Sequence, residues 1–143
     1  MTSIFSKIIA GELPGRFVWQ DDQVVAFLTI APLRAGHTLV VPRQEIDKWT
    51  DLPPELLTRV MTVAQTIGRA VERAFDAPRA GLAIAGLEVP HCHVHVSPMW
   101  EMADLDFAHM APENDAAKLD DAARRLRSAL RELGEPAHVP RVD

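Results

Sequence analysis

Pro90-His91-Cys92-His93-Val94-His95-Val96-Ser97 decides how this chain is read. Its three histidines recur at every second position, and in an extended strand residues i, i+2 and i+4 share a face. His91, His93 and His95 therefore line one side, while Cys92, Val94 and Val96 point to the other. The spacing predicts a strand over 91–97, closed by Pro98, with one face for the core and one for chemistry.

Working outward, Gly81 to Gly86 reads as a strand with glycine ends that leads into the histidines. Upstream, 16–19 and 24–28 are short strands around a polar turn, a hairpin signature. Residues 37–41 form another strand, ended by Pro42; its apolar content on both sides predicts a central position. His37 stands at its mouth, on the face of Leu39 and Val41. Between that strand and the glycine-ended one, 53–76 keeps an apolar stripe at i, i+3, i+4 and i+7, the pattern of a long amphipathic helix. A second stripe, through Leu119, Ala122, Ala123, Leu126, Leu130 and Leu133, predicts a helix over about 114–133, with Gly134 as its stop. One or two helical turns are expected over 3–10, capped by Ser3 and stopped by Gly11. Residues 99–112 read as irregular and 135–143 as a loosely held tail. The expectation is an α+β fold in two layers. It has about five strands in a mostly antiparallel sheet, one long central helix and a C-terminal helix. The helices are expected on one face and the histidines on the other.

The chain has 143 residues, 48% of them hydrophobic, enough for one core of ordinary size. Residues 1–143 are expected to form a single domain, with about 99–143 as a C-terminal extension and helix. The net charge of −5 argues against bulk electrostatic binding to nucleic acid. Cys92 is the one cysteine, which excludes an intramolecular disulfide and a cysteine-based zinc cluster. No apolar run approaches a membrane span, so no membrane association is expected. Met1-Thr2-Ser3-Ile4-Phe5 lacks the basic and apolar regions of a signal peptide, and the expected location is cytoplasmic. No glycine-rich phosphate loop, Walker motif or magnesium carboxylate cluster is present, and no cofactor is expected.

Three chemistries suit the histidine strand. In the first, the imidazoles bind a metal. His91 and His95 would lie roughly 13 Å apart on a flat strand; one ion reaches adjacent pairs only, with His37 as a further ligand. In the second, a neutral imidazole attacks phosphorus and forms a covalent intermediate. His93, flanked by potential donors on both sides, is the best-placed attacker, with His91 and His95 orienting groups or assisting the leaving group. In the third, the rings are structural. That is the commoner fate of a lone histidine, but three in alternation on one face would each need a buried partner. For a phosphate, the positive or donor partners on offer are these rings, backbone N–H groups after His95, the Ser97 hydroxyl, and Arg34 or Arg43. Each arginine is more often a solvated loop charge.

His91-Cys92-His93-Val94-His95-Val96-Ser97 resembles the His-x-His-x-His-x-x signature of the histidine triad nucleotide hydrolases and transferases. The resemblance extends over roughly residues 3–100. Ser3 to Pro14 resembles that family's first segment; Asp21 to Phe27, Pro32 and Gly36 to Pro42 resemble its hairpin and central strand. It implies a homodimer acting on a purine nucleoside monophosphate in phosphoramidate, phosphoanhydride or phosphosulfate linkage. His93 would become nucleotidylated, and water or another acceptor would resolve the intermediate. His91 would offer its carbonyl to the His93 ring, His95 would contact the phosphate or bridging atom, and His37 would complete the cluster. Ile4, Phe5, Ile8, Phe27, Ile30 and Leu39 would clamp the base, an apolar slot suited to a purine. Hydrolysis of dinucleoside polyphosphates, or nucleotide binding with little turnover, are the alternatives, and a histidine metal module is a further one.

Departures from the family pattern locate this chain's own features. Thr29 stands where an aspartate commonly holds both ribose hydroxyls, and it offers one hydroxyl. Glu88 replaces a neutral donor before the triad; a carboxylate there is expected to favour a substrate with a cationic group. Many relatives carry paired cysteines and a zinc site where this chain has Ser3 and Ser6, with Gln44-Glu45-Ile46 at a later histidine position. Serine is a poor zinc ligand, so no structural zinc is expected.

Overall fold

The structure, a computed structural model, describes residues 2–141. A five-stranded sheet runs in the order β1-β2-β3-β5-β4. Its strands are β1 (Phe17–Gln20), β2 (Val24–Leu28), β3 (Thr38–Pro42), β4 (Arg79–Ala83) and β5 (Val94–Met99). Every neighbouring pair is antiparallel. Helix α1 spans Ile4–Ile9, α2 spans Pro54–Phe75 and α3 spans Ala116–Glu132. The chain crosses from the central β3 through α2 to the edge strand β4, then turns back as β5 between them.

Side-chain alternation divides the sheet. Val24, Ala26, Leu28, Val40, Cys92, Val94 and Val96 pack with α2 and α3 in the main core. Val25, Phe27, Leu39 and Val41 face the other way and form a second cluster with Phe5 of α1. The expectation that the helices share one face is corrected here. Helix α1 is short, and the aromatic ring of Phe5 needs cover that the histidine side of the sheet supplies.

Strand boundaries also differ from the reading of the sequence: β3 includes Pro42, and β4 and β5 shift at both ends. β4 begins at Arg79 and leaves the sheet at Ala83, because β5 runs on to Met99 and pairs Met99 with Arg79. Pro98 does not stop β5. The last pair with β3 is Thr38 with Val96, so beyond it one side of the strand has no neighbour, the place where proline is tolerated. β5 begins only at Val94. His91 and His93 lie on an extended arm before it, since Cys92 N–H donates to the Ile46 carbonyl (2.7 Å) rather than to a ladder.

Residues 102–105 and 107–109 form short 3-10 turns within the stretch read as irregular. The C-terminal stretch is packed rather than loose. Val139 is buried in the main core, the His138 ring lies 4.6 Å from that of Trp19, and Arg131 donates to the Pro140 carbonyl. Residues 142 and 143 lie outside the described residues. No described helix is long and apolar enough to cross a membrane.

Candidate active site

The loop over 84–93 carries the chain from the sheet edge back to its centre. Cys92 anchors its end by burying its side chain in the main core. Burial, reinforced by Asp47, pushes its thiol up to about 11, so it is no nucleophile near neutral pH. With Cys92 and Val94 turned inward, His91, His93 and His95 face the other way, beside His37 from the turn before β3. Gly36 sets that turn with φ +98, and a Cβ there would strike the Phe75 ring.

The partners of each ring assign its tautomer. Leu33 N–H donates to His37 Nδ1 (3.0 Å), so the proton of neutral His37 sits on Nε2. That nitrogen lies 2.9 Å from His95 Nδ1 and donates to it. His95 then carries its own proton on Nε2. His93 Nδ1–H donates to the His91 carbonyl (2.8 Å), leaving a lone pair on His93 Nε2. His91 Nε2–H donates to the Pro42 carbonyl (2.7 Å), and its Nδ1 accepts from the Ser3 hydroxyl (2.7 Å). Among the described residues, Ser97 Oγ is the one buried side-chain polar atom without a partner. The free nitrogens of His93 and His95 therefore belong to edges that solvent reaches.

Burial keeps the cluster neutral. It holds His37 down at about 3, with His95 and His93 adding repulsion. Burial and His93 hold His95 at about 4. His93 is lowered as well, first by burial; the His91 carbonyl and Glu88 pull in the opposite direction.

Phe5, Phe27 and Leu39 come together beside the rings, with Ile8 half-buried against them. The Phe5 ring meets those of His93 at 4.8 Å and Phe27 at 5.6 Å, edge to face. Ile4 and Ile30 stand apart from that cluster as exposed side chains. The Thr29 hydroxyl accepts from Ala31 N–H (3.1 Å) within its own turn. Glu88 is exposed on the loop. Ser97 is fully buried, so the structure does not bring its hydroxyl to the open edge with the rings. Arg34 is held by Asp104 at 2.7 Å and lies over the Trp100 ring. Arg43 donates to the Asp21 carbonyl. Each arginine is thus tethered through its Nε.

Sequence reasoning missed Phe107, whose ring packs 4.8 Å from that of His95 and 6.5 Å from that of His37. A single aromatic in an irregular stretch carries no periodic signal. It also missed Asp104, which ties that stretch down by accepting from Trp100 N–H and Glu101 N–H as well as from Arg34.

The family profile described as the HIT domain matches residues 10–102. An uncharacterized HIT-like protein of Methanocaldococcus jannaschii is 38% identical over 102 residues, covering 68% of this chain and 79% of that protein. An adenosine 5′-monophosphoramidase of Saccharomyces cerevisiae is 33% identical over 129 residues, covering 89% of this chain and 82% of the yeast protein. The crystal structure of a zinc-bound histidine triad family protein from Mycobacterium smegmatis superposes with a TM-score of 0.82 at 30% identity, covering 95% and 98% of the two chains.

Proposed function

The chain belongs to the HIT domain family, and from that premise we propose that it is a hydrolase or nucleotidyl transferase that forms a covalent nucleotidyl-histidine on His93. The observation that carries this reading is the His93 ring itself. Its Nδ1–H is committed to the His91 carbonyl, its Nε2 lone pair is free, and His95 lies beside it with ring centroids 4.9 Å apart.

The Nε2 lone pair attacks the α-phosphorus of a purine nucleoside monophosphate derivative. A P–N bond forms, and the bond from phosphorus to the leaving atom breaks. The positive charge that develops on His93 is stabilised through Nδ1–H by the His91 carbonyl. His95 Nε2–H donates to the phosphate or the leaving atom, and His37 holds it in that tautomer. Water then cleaves the P–N bond and releases the nucleotide. Phe5, Phe27, Leu39 and Ile8 form the inner wall of the base slot, with exposed Ile4 and Ile30 at its rim. The yeast relative's name supports a phosphoramidate as substrate. Glu88 favours a cationic leaving group; equal rates for Glu88→Gln on cationic and neutral leaving groups would remove that assignment. Because Thr29 offers a single hydroxyl that already accepts from Ala31 N–H, nucleotide binding with little turnover is the second reading.

Incubation with a nucleoside phosphoramidate labelled in the AMP moiety is expected to leave label on His93. His93→Ala should abolish both label and turnover, and turnover that survives the substitution overturns the mechanism. Label without turnover favours the second reading. In this proposal the chain acts in the cytoplasm as a homodimer; the open edge of β4, with Leu82 on it 41% exposed, supports the dimer. A monomer mass in sedimentation would remove that part.

A further inference from the structure

Four side chains from three parts of the chain meet beneath the triad. Ser3 caps α1, its hydroxyl accepting from Ser6 N–H (3.0 Å). The same hydroxyl donates to His91 Nδ1 (2.7 Å). One carboxylate oxygen of Glu45 accepts from Ser3 N–H (2.6 Å) and from the Ser6 hydroxyl (2.7 Å). These are the positions at which the family resemblance places paired cysteines and a histidine around zinc.

The residues present do not fit that ion. Serine hydroxyls are poor zinc ligands. His91 Nδ1, the nitrogen a metal would need, already accepts a proton from Ser3, while its other nitrogen donates to Pro42. Among the described residues no group of three or more His, Cys, Asp or Glu side chains is arranged to hold a metal.

We propose that Ser3, Ser6 and Glu45 form a metal-free clip that docks α1 against the triad, and that Ser3 is a positioning residue acting on His93 through His91. Helix α1 has six residues, too few to persist without tertiary anchors. Glu45 supplies the anchor by gathering two donors of its first turn. Hydrogen bonds from Ser3 and Ser6 hold the carboxyl of Glu45 below its ordinary value, keeping it an acceptor. Ser3 then passes the constraint on. Its proton fills the lone pair of His91 Nδ1, and Pro42 takes the Nε2–H, so the His91 ring is held from both ends. The carbonyl of that same residue orients His93. The clip also places Phe5, the α1 residue whose ring packs on His93.

The catalytic part rests on nucleotidylation of His93, so the test also reads the clip without turnover. In proton–nitrogen NMR of the full chain, His91 Nδ1 is expected to resonate as an unprotonated nitrogen that accepts a hydrogen bond. Ser3→Gly keeps most of the helix-capping preference and removes the hydroxyl. It should move that resonance to the position of a free nitrogen and lower kcat about tenfold, the size expected for loss of one hydrogen bond to a buried ring. Ser3→Thr should restore both. Glu45→Ala should speed hydrogen exchange of the α1 amides about tenfold, as expected for a weakened local unit. The purified protein should carry substoichiometric zinc, and a chelator should leave its melting temperature unchanged. Stoichiometric zinc whose removal lowers that temperature overturns the clip, as does an unmoved His91 resonance in Ser3→Gly. The expected resonances without any labelling of His93 support the clip and overturn the nucleotidyl-transfer reading instead.

Discussion

Two hydrogen-bond chains that both start on backbone groups fix the rings at the site. One runs from Leu33 N–H through His37 to His95, and the other from the His91 carbonyl to His93 itself. Backbone anchors do not titrate, so the proton positions persist across the physiological range. In the proposed mechanism the attacking ring must be unprotonated, and burial lowers the pKa of His93 from the usual 6.5. The acid limb of kcat/KM is therefore expected below the range of a free imidazole, activity falling only as pH drops through that lowered value. Glu88 raises the His93 pKa, so Glu88→Gln should shift the limb further toward acid. A limb that stays put, or moves up, would show that Glu88 and His93 are not electrostatically coupled. The alternation of histidines made the shared face legible at this scale. It gave no hint of which nitrogen is free, because tautomers are set by hydrogen-bond partners off the strand face: Leu33 in the turn before His37, and Pro42 and Ser3, remote in sequence from His91.

Elements with a strong period were legible and those held by distant partners were not. The stripes of α2 and α3 placed their ends within a few residues, because their buried side chains repeat at the helical period along 22 and 17 residues. Leu126 is fully buried between α3 and the core. Leu126→Ala is expected to lower stability by about 2–5 kcal/mol, read by denaturant unfolding, with kcat of the folded fraction unchanged. A loss under about 1 kcal/mol would mean that α3 repacks around the gap. The start of β5 was not legible, since an extended arm and a strand have the same alternation. Only pairing distinguishes them, and β3 ends at Pro42, where the ring of His91 takes the carbonyl. The side of the sheet on which α1 lies was equally hidden. Its own stripe is two turns long, and Glu45 and Phe27 decide where it docks.

The molecule as a whole holds three imidazoles, His37, His93 and His95, whose charged forms burial disfavours, and that links stability to acidity. Burial holds folded His37 down at about 3 and His95 at about 4, against 6.5 for a solvated imidazole in the unfolded chain. Above the unfolded value the rings are neutral in both states. As pH falls below it, the unfolded chain takes up protons that the folded chain refuses, so stability declines. By about pH 5 the loss is roughly 2–4 kcal/mol. Thermal melts between neutral pH and that point should show a falling midpoint, and a flat profile would count against the buried neutral pair. The order of elements, the apolar and polar faces of the histidine arm and the two long helices follow from local periodicity, which is written in neighbouring residues. Phe107 on His95, Asp104 on Arg34, the packed C-terminal turn and the serine–glutamate clip join positions far apart in the chain. No local pattern encodes such contacts, because they arise only when the sheet closes and each buried polar group must find a partner.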